Sequence, residues 1–171
     1  VAFGVSNHFD GTPTPGVLDG IAENVLLAPP DDIEATRRIF ETHDDIGAVI
    51  LEPTGASFGQ GPVTREFVTE LRKIATEHGV LLIFDEVITG FGRLGTPFAT
   101  DYFGVIPDLV TAAKGLTNGV IPMGAVFVQR AVHDALMHGP DGAIELFHGY
   151  TYSGNPVACA AGLATLNIYQ R

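Results

Sequence analysis

Cysteine is nearly absent from this chain. Cys159 stands alone, so no disulfide can form within it and no cysteine-based zinc site can be built. A single thiol fits an intracellular, cytoplasmic location. Basic charge is also scarce: nine Lys and Arg face twenty Asp and Glu, a formal net charge of -11. No Lys/Arg cluster or basic helix face offsets that repulsion of phosphate, so neither nucleic acid nor an anionic membrane is expected as a partner. No apolar run reaches the length of a membrane span, and the opening residues lack the basic, apolar and small-residue succession of a signal peptide. What is present is 171 residues, 46% of them hydrophobic, enough for the core of one medium domain. The chain opens at VAFGVSNHF without Met and stops at LNIYQR inside a helical pattern, so a piece of a longer polypeptide is expected.

The first thirty residues read as loop, with Gly and Pro in DGTPTPG and then the APPDD turn. Asp31 and Glu34 fit a capping box that opens a helix to about Thr42. GAVILEP, 47 to 53, is an apolar run stopped by Pro, as a buried parallel strand would be. From Thr64 to His78, Phe67, Val68, Leu71, Ile74 and Ala75 share one helical face, and Gly79 closes the helix. VLLIFDEV follows as the next buried strand, which makes a βαβ crossover. PDLVTAAK and MGAVFVQR, 107 to 114 and 123 to 130, read as two more strands around a Gly-rich turn. Asn155 and Pro156 then start a long Ala-rich helix. With no repeat, low-complexity tract or linker, the chain reads as one α/β layer structure.

Gly90, Gly92 and Gly95 follow the strand at 80 to 87 in the spacing G-x-G-x-x-G. A dinucleotide fingerprint needs a helix directly after its last glycine and an acidic residue about 20 positions on. Here Asp85 and Glu86 put two carboxylates where a pyrophosphate needs N–H groups, and TPFATDYFG interrupts any immediate helix. Asp108 lies at roughly the required distance but begins a strand instead of ending one. The glycines are better read as loop positions with φ above zero.

The acidic strand end is the stronger signal. Ligands of open parallel sheets bind outside the carboxyl ends of the strands, where Asp85 stands, although a cap or a solvated carboxylate is its plainer reading. Lys114 shifts the balance. It is one of only two lysines; the other, Lys73, sits on the polar side of an amphipathic helix. Lys114 follows PDLVTAA and precedes GLTNG, and its small neighbours would let a planar ligand approach. A lysine there is expected to be partly desolvated, which favours the neutral amine that Schiff-base chemistry needs. A carboxylate and such an amine at adjacent strand ends suit pyridoxal phosphate, the Asp keeping the pyridine nitrogen protonated.

LLIFDEVITGFGRLGTPFATDYFGVIPDLVTAAKGLTNGVIPMGAVFV and FHGYTYSGNPVACAAGLATL resemble the class III aminotransferases, pyridoxal-phosphate enzymes of fold type I, and most of all their ω-amino acid:pyruvate (β-alanine:pyruvate) branch. The likeness spans about residues 80 to 171 in several separate motifs. It implies an α/β large domain, a mainly parallel sheet with helices on both faces, here incomplete. It also implies that Asp85 partners the pyridinium nitrogen, that Val87 packs on the ring, and that Lys114 carries the cofactor and shuttles the proton. Thr151 would reach the cofactor phosphate of a neighbouring subunit, which makes a homodimer the minimum and a homotetramer possible for the parent protein. Glu52 matches a glutamate near the substrate pocket, with a strand-end cap as its alternative. The stretch from SNHFDGTPTPG to GAVILEP is more similar to the glutamate-1-semialdehyde aminomutase branch.

In the family, a phosphate loop and a ring-stacking aromatic precede the part present here, and a small C-terminal domain follows it. We therefore expect residues 1 to 171 to be a fragment of the large domain and inactive alone, from a parent that moves an amino group from an amino acid or ω-amine to a keto acid such as pyruvate. An aminomutase acting within one substrate and a non-catalytic binding domain are the alternatives. No metal site is expected: the six histidines show no i, i+4 pair, with His133 and His138 five apart. His148 reads as a loop-positioning residue. Ser57 and Ser153 lack a nucleophile elbow, and Cys159 reads as core.

Overall fold

A computed structural model describes residues 15–54, 62–139, 141–142 and 146–171. Most of the DGTPTPG loop and Ser57 lie outside the described residues. In chain order the elements are α1 (Asp19–Ala22), α2 (Ile33–Thr42), β1 (Ala48–Leu51), α3 (Arg65–Glu77), β2 (Leu81–Asp85), α4 (Ala99–Phe103), β3 (Leu109–Ala112), β4 (Ala125–Val128), α5 (Arg130–Met137) and α6 (Pro156–Tyr169). The described strands form one sheet in the order β1-β2-β3-β4. β1, β2 and β3 run parallel and β4 is antiparallel to β3.

α3 carries the crossover from β1 to β2. Its five expected apolar residues, Phe67, Val68, Leu71, Ile74 and Ala75, are all buried. They pack on the face of β2 that carries Leu82 and Phe84, together with Phe40 of α2 and Leu51 of β1. Thr64 caps the start of α3, its hydroxyl accepting from the Phe67 N–H at 3.2 Å. At the other end Gly79 takes a φ of 67°; its N–H reaches the Thr76 carbonyl and that of Val80 the Ala75 carbonyl. This is the paired bonding of a Schellman motif. The opposite sheet face carries Leu81, Val126 and Val128, which are exposed among the described residues.

α2 starts one residue later than its sequence suggests. Asp32 is the cap, its carboxylate accepting from the Ala35 N–H at 2.8 Å. Asp31 has a φ of 57°, outside the extended region an N-cap adopts, and accepts instead from the backbone and hydroxyl of Thr64 at 2.7 and 2.8 Å. The shift turns a local cap into a tie between the starts of α2 and α3.

Asp108 ties three elements just before β3. Its Oδ2 accepts from Arg72 Nη1 and from the Leu82 N–H, both at 2.7 Å, a structural tie between α3, β2 and the start of β3. Asp108→Ala would leave the Leu82 N–H without this acceptor and the partly buried Arg72 guanidinium with only its bond to the Thr76 hydroxyl. We expect a loss of about 2 kcal/mol in urea unfolding, the usual worth of bonds to a charged group. A loss below about 0.5 kcal/mol would mean that water replaces the carboxylate without cost.

Candidate functional site at the strand ends

The parallel strands end side by side, and each delivers one chemically useful residue. Glu52 follows β1, Asp85 ends β2, and Lys114 comes two residues after β3. Asp85 pairs with Thr111 across the sheet, so their side chains share a face. Asp85 Oδ1 accepts from the Thr111 hydroxyl at 3.2 Å and from the Val87 N–H at 3.1 Å. Among the described residues Oδ2 accepts no bond. The carboxylate is thus oriented through one oxygen and open at the other. Val87 is half-buried beside it. Glu52 takes the Thr54 hydroxyl on its carboxylate at 2.8 Å, a local turn contact.

The expected desolvation of Lys114 is not found: the residue is exposed. The reason lies in its neighbours. Ala112, Ala113 and Gly115, small enough to admit a planar ligand, are too small to cover an ammonium group. Among the described residues its amine has no hydrogen bond or ion pair. Lys73 differs: its amine sits 2.5 Å from Glu70 on the outer side of α3, and that hydrogen bond holds the Glu70 carboxyl below its ordinary value.

Thr151 is exposed and lines a cleft of about 580 Å³ with Pro122, Met123, Gly124, His148 and Asn155. Neither Asp85 nor Lys114 is among the residues that line that cleft. His148 Nδ1 accepts from the Tyr150 N–H at 2.9 Å, which orders the loop locally. Asn155 caps α6 by accepting from the Val157 and Ala158 N–H groups at 3.0 and 3.1 Å. His133 faces Asp134 at 3.0 Å, and His138 bonds the Asp134 carbonyl. Cys159, read as core, is only partly buried.

The sequence reading missed Glu86. It treated Asp85 and Glu86 as one acidic strand end, yet the alternation of an extended chain sends them to opposite faces. Glu86 is fully buried. Its Oε2 accepts from the Ala99 N–H at 2.6 Å and the Thr89 hydroxyl at 3.2 Å; Oε1 accepts from the N–H and hydroxyl of Thr100 at 3.0 and 2.9 Å. The carboxylate caps α4 and closes the loop between them. A charge at a core-facing parity was the available signal.

The glycine-rich loop lacks the geometry of the dinucleotide fingerprint. Gly92 and Gly95 have φ of 93° and 81°, as expected for loop glycines. Gly90 is needed for closeness instead: a Cβ there would stand 2.9 Å from the Glu86 carbonyl oxygen. The helix that follows, α4, starts only at Ala99 and has five residues.

The chain is similar to known proteins along most of its length. Residues 22–171 match the family described as Aminotransferase class-III. An omega-aminotransferase of Caulobacter vibrioides is 52% identical over 166 residues, 95% of this chain and 37% of its own length. A glutamate-1-semialdehyde 2,1-aminomutase of Ignicoccus hospitalis is 41% identical over 166 residues, 96% of this chain and 38% of its own. The solved structure of an amine transaminase from an uncultivated Pseudomonas species, in its PLP-bound internal aldimine form, superposes with a TM-score of 0.72 at 40% identity, covering 80% of this chain and 31% of that one. The chain therefore spans well under half the length of the relatives it matches. The mainly parallel sheet is shared with solved transaminases of fold type I, and with the match over 22–171 the chain belongs to the class III aminotransferase family.

Proposed function

We propose that these residues form part of the large domain of a pyridoxal-phosphate-dependent aminotransferase. It moves an amino group from an amino acid or ω-amine to a keto acid such as pyruvate. The observation that carries this reading is Asp85, fixed through Oδ1 by Thr111 and Val87 with Oδ2 open, on the strand next to the one that leads into Lys114.

The residues fit the cofactor. An open carboxylate oxygen suits a protonated ring nitrogen, and an unpaired lysine amine suits an aldehyde. When bound, pyridoxal phosphate supplies an electron-withdrawing ring that stabilises charge at the donor carbon. Asp85 keeps the ring nitrogen protonated, because a fixed negative charge favours the cationic form. Thr111 holds Asp85 in that orientation. Val87 packs against the ring face. Lys114 would be the point of covalent attachment, and its free amine would be the base and acid that moves a proton at the donor carbon. Since no residue of the described chain covers Lys114, its desolvation has to come from what binds over it. Thr151, in the cleft beside Gly124, serves the phosphate of a neighbouring subunit, which makes the active protein at least a dimer. Glu52 borders the substrate side of the site.

Identity along nearly the whole chain favours the aminotransferase over the aminomutase, 52% against 41% over equal lengths. A need for pyruvate in turnover separates the two, because an aminomutase needs no acceptor. The assignment is tested by adding pyridoxal phosphate to the chain, reducing with borohydride and mapping adducts by mass spectrometry. Label on Lys114 and not on Lys73 is the expected result; equal labelling of both would overturn it. The isolated 171 residues are expected to show no turnover of β-alanine with pyruvate.

A further inference from the structure

The stretch G-F-G-R-L-G takes no part in the chemistry above, yet it packs on the turn that chemistry depends on. Lys114 opens a 3-10 turn, Lys114–Leu116, with a φ of 39°. A left-handed backbone is disfavoured for a residue with a side chain and persists only where its surroundings over-determine it. Gly115 lies so close to the loop that a Cβ on it would stand 2.9 Å from Phe91 Cβ. Phe91 is itself left-handed, at a φ of 62°, and its N–H donates to the Pro97 carbonyl at 2.7 Å. Its ring lies 5.2 Å from that of Phe98 and stacks on Tyr169 at 6.0 Å and 23°. The Tyr169 hydroxyl donates to the Gly115 carbonyl at 3.0 Å and lies 3.3 Å from Asn118 Oδ1. α6 reaches this turn along one stripe, Ala158, Gly162, Thr165 and Tyr169, and Gly162 brings it against the Leu116 carbonyl.

We infer that Phe91 and Tyr169 are positioning residues that clamp the Lys114 turn. Phe91 presses on Gly115, and Tyr169 holds the Gly115 carbonyl from 54 residues away in sequence. The pair keeps Lys114 left-handed and so restricts the direction in which its amine leaves the backbone. This rests on Lys114 being the lysine that carries the cofactor.

The test uses pyridoxal phosphate as the probe and reads the rate of borohydride-trapped adduct at Lys114 and at Lys73. Tyr169→Phe keeps the ring stack and deletes only the hydroxyl. Trapping at Lys114 is expected to slow roughly fivefold, about the worth of one hydrogen bond, with Lys73 staying at background and the thermal midpoint falling by no more than about 4 °C. Gly115→Ala is expected to slow Lys114 trapping in the wild type and to add nothing in a Phe91→Gly background, where the clashing Cβ is gone. Equal Lys114 rates in wild type and Tyr169→Phe would overturn the clamp. So would additive effects of Gly115→Ala and Phe91→Gly, or a parallel change at Lys73. A wild type with no Lys114 adduct would instead overturn the cofactor reading. Amide hydrogen exchange over 114–119 without cofactor then decides the clamp: faster exchange in Tyr169→Phe supports it, unchanged exchange refutes it.

Discussion

Lys114→Arg is expected to abolish the borohydride-stable attachment of pyridoxal phosphate and to lower transamination by the whole protein about 10⁴-fold, the upper range for losing a residue of acid–base catalysis. Arginine keeps the positive charge and much of the length, so attraction for an anionic cofactor survives. It loses the one thing the proposal needs, because a guanidinium does not deprotonate in a protein and cannot attack an aldehyde or relay a proton. The exposed position of Lys114 makes the comparison clean: the longer side chain displaces no packed neighbour, and the fold should be intact by circular dichroism. Lys73, bonded to Glu70 on α3, is the internal control and should stay unlabelled in both proteins. Turnover within about tenfold of wild type, or an adduct that persists elsewhere in the chain, would remove Lys114 from its proposed role.

Glu86→Ala is expected to be the most damaging substitution for the fold. Its buried carboxylate accepts from Ala99, Thr100 and Thr89, and deleting it takes the acceptor from the first N–H groups of α4 and from the Thr89 and Thr100 hydroxyls, of which Ala99 and Thr89 are buried. Leaving several buried donors unsatisfied, at about 1–3 kcal/mol each, costs about 3–5 kcal/mol in all. For a chain of this length that is a fall of roughly 10 °C in the unfolding midpoint. Glu86→Gln keeps the volume but turns an N–H₂ toward donors, and should cost about 2 kcal/mol. The chain has no tryptophan, so far-UV circular dichroism in urea is the practical measurement. A loss under about 1 kcal/mol for the alanine variant would mean that water reaches the site. Since Val87 adjoins Glu86 and Phe91 lies in the loop that Glu86 closes, the gln variant should also loosen both before global unfolding, visible as faster amide exchange over 87–98.

Much of the scaffold was legible because its signals are local. The apolar stripe of α3, its Thr64 cap and Gly79 stop, the paired Asn155 and Pro156 before α6, and the acidic end of β2 each depend on residues a few positions apart. The errors came where a neighbour in space is distant in sequence. Asp31 looked like the cap of α2 because Glu34 stands three residues on, but Thr64, 33 residues away, claims its carboxylate. The antiparallel direction of β4 could not be read from its apolar pattern, which is the same for either direction.

The sequence by itself determined the α/β class and the placement of Asp85 and Lys114 at strand ends, because hydrophobic periodicity and turn chemistry decide where strands begin and stop, while its quoted motifs carried the resemblance to the family. Only the tertiary structure decided what surrounds those two residues. It aligned Thr111 with Asp85, sent Glu86 into the core to cap α4, left Lys114 in solvent, and laid Phe91 and Tyr169 against Gly115. The physical reason is common to all four. Burial and hydrogen bonding are satisfied by whichever groups the sheet register and helix packing bring together, and that juxtaposition is fixed by long-range contacts that no short stretch of the chain contains.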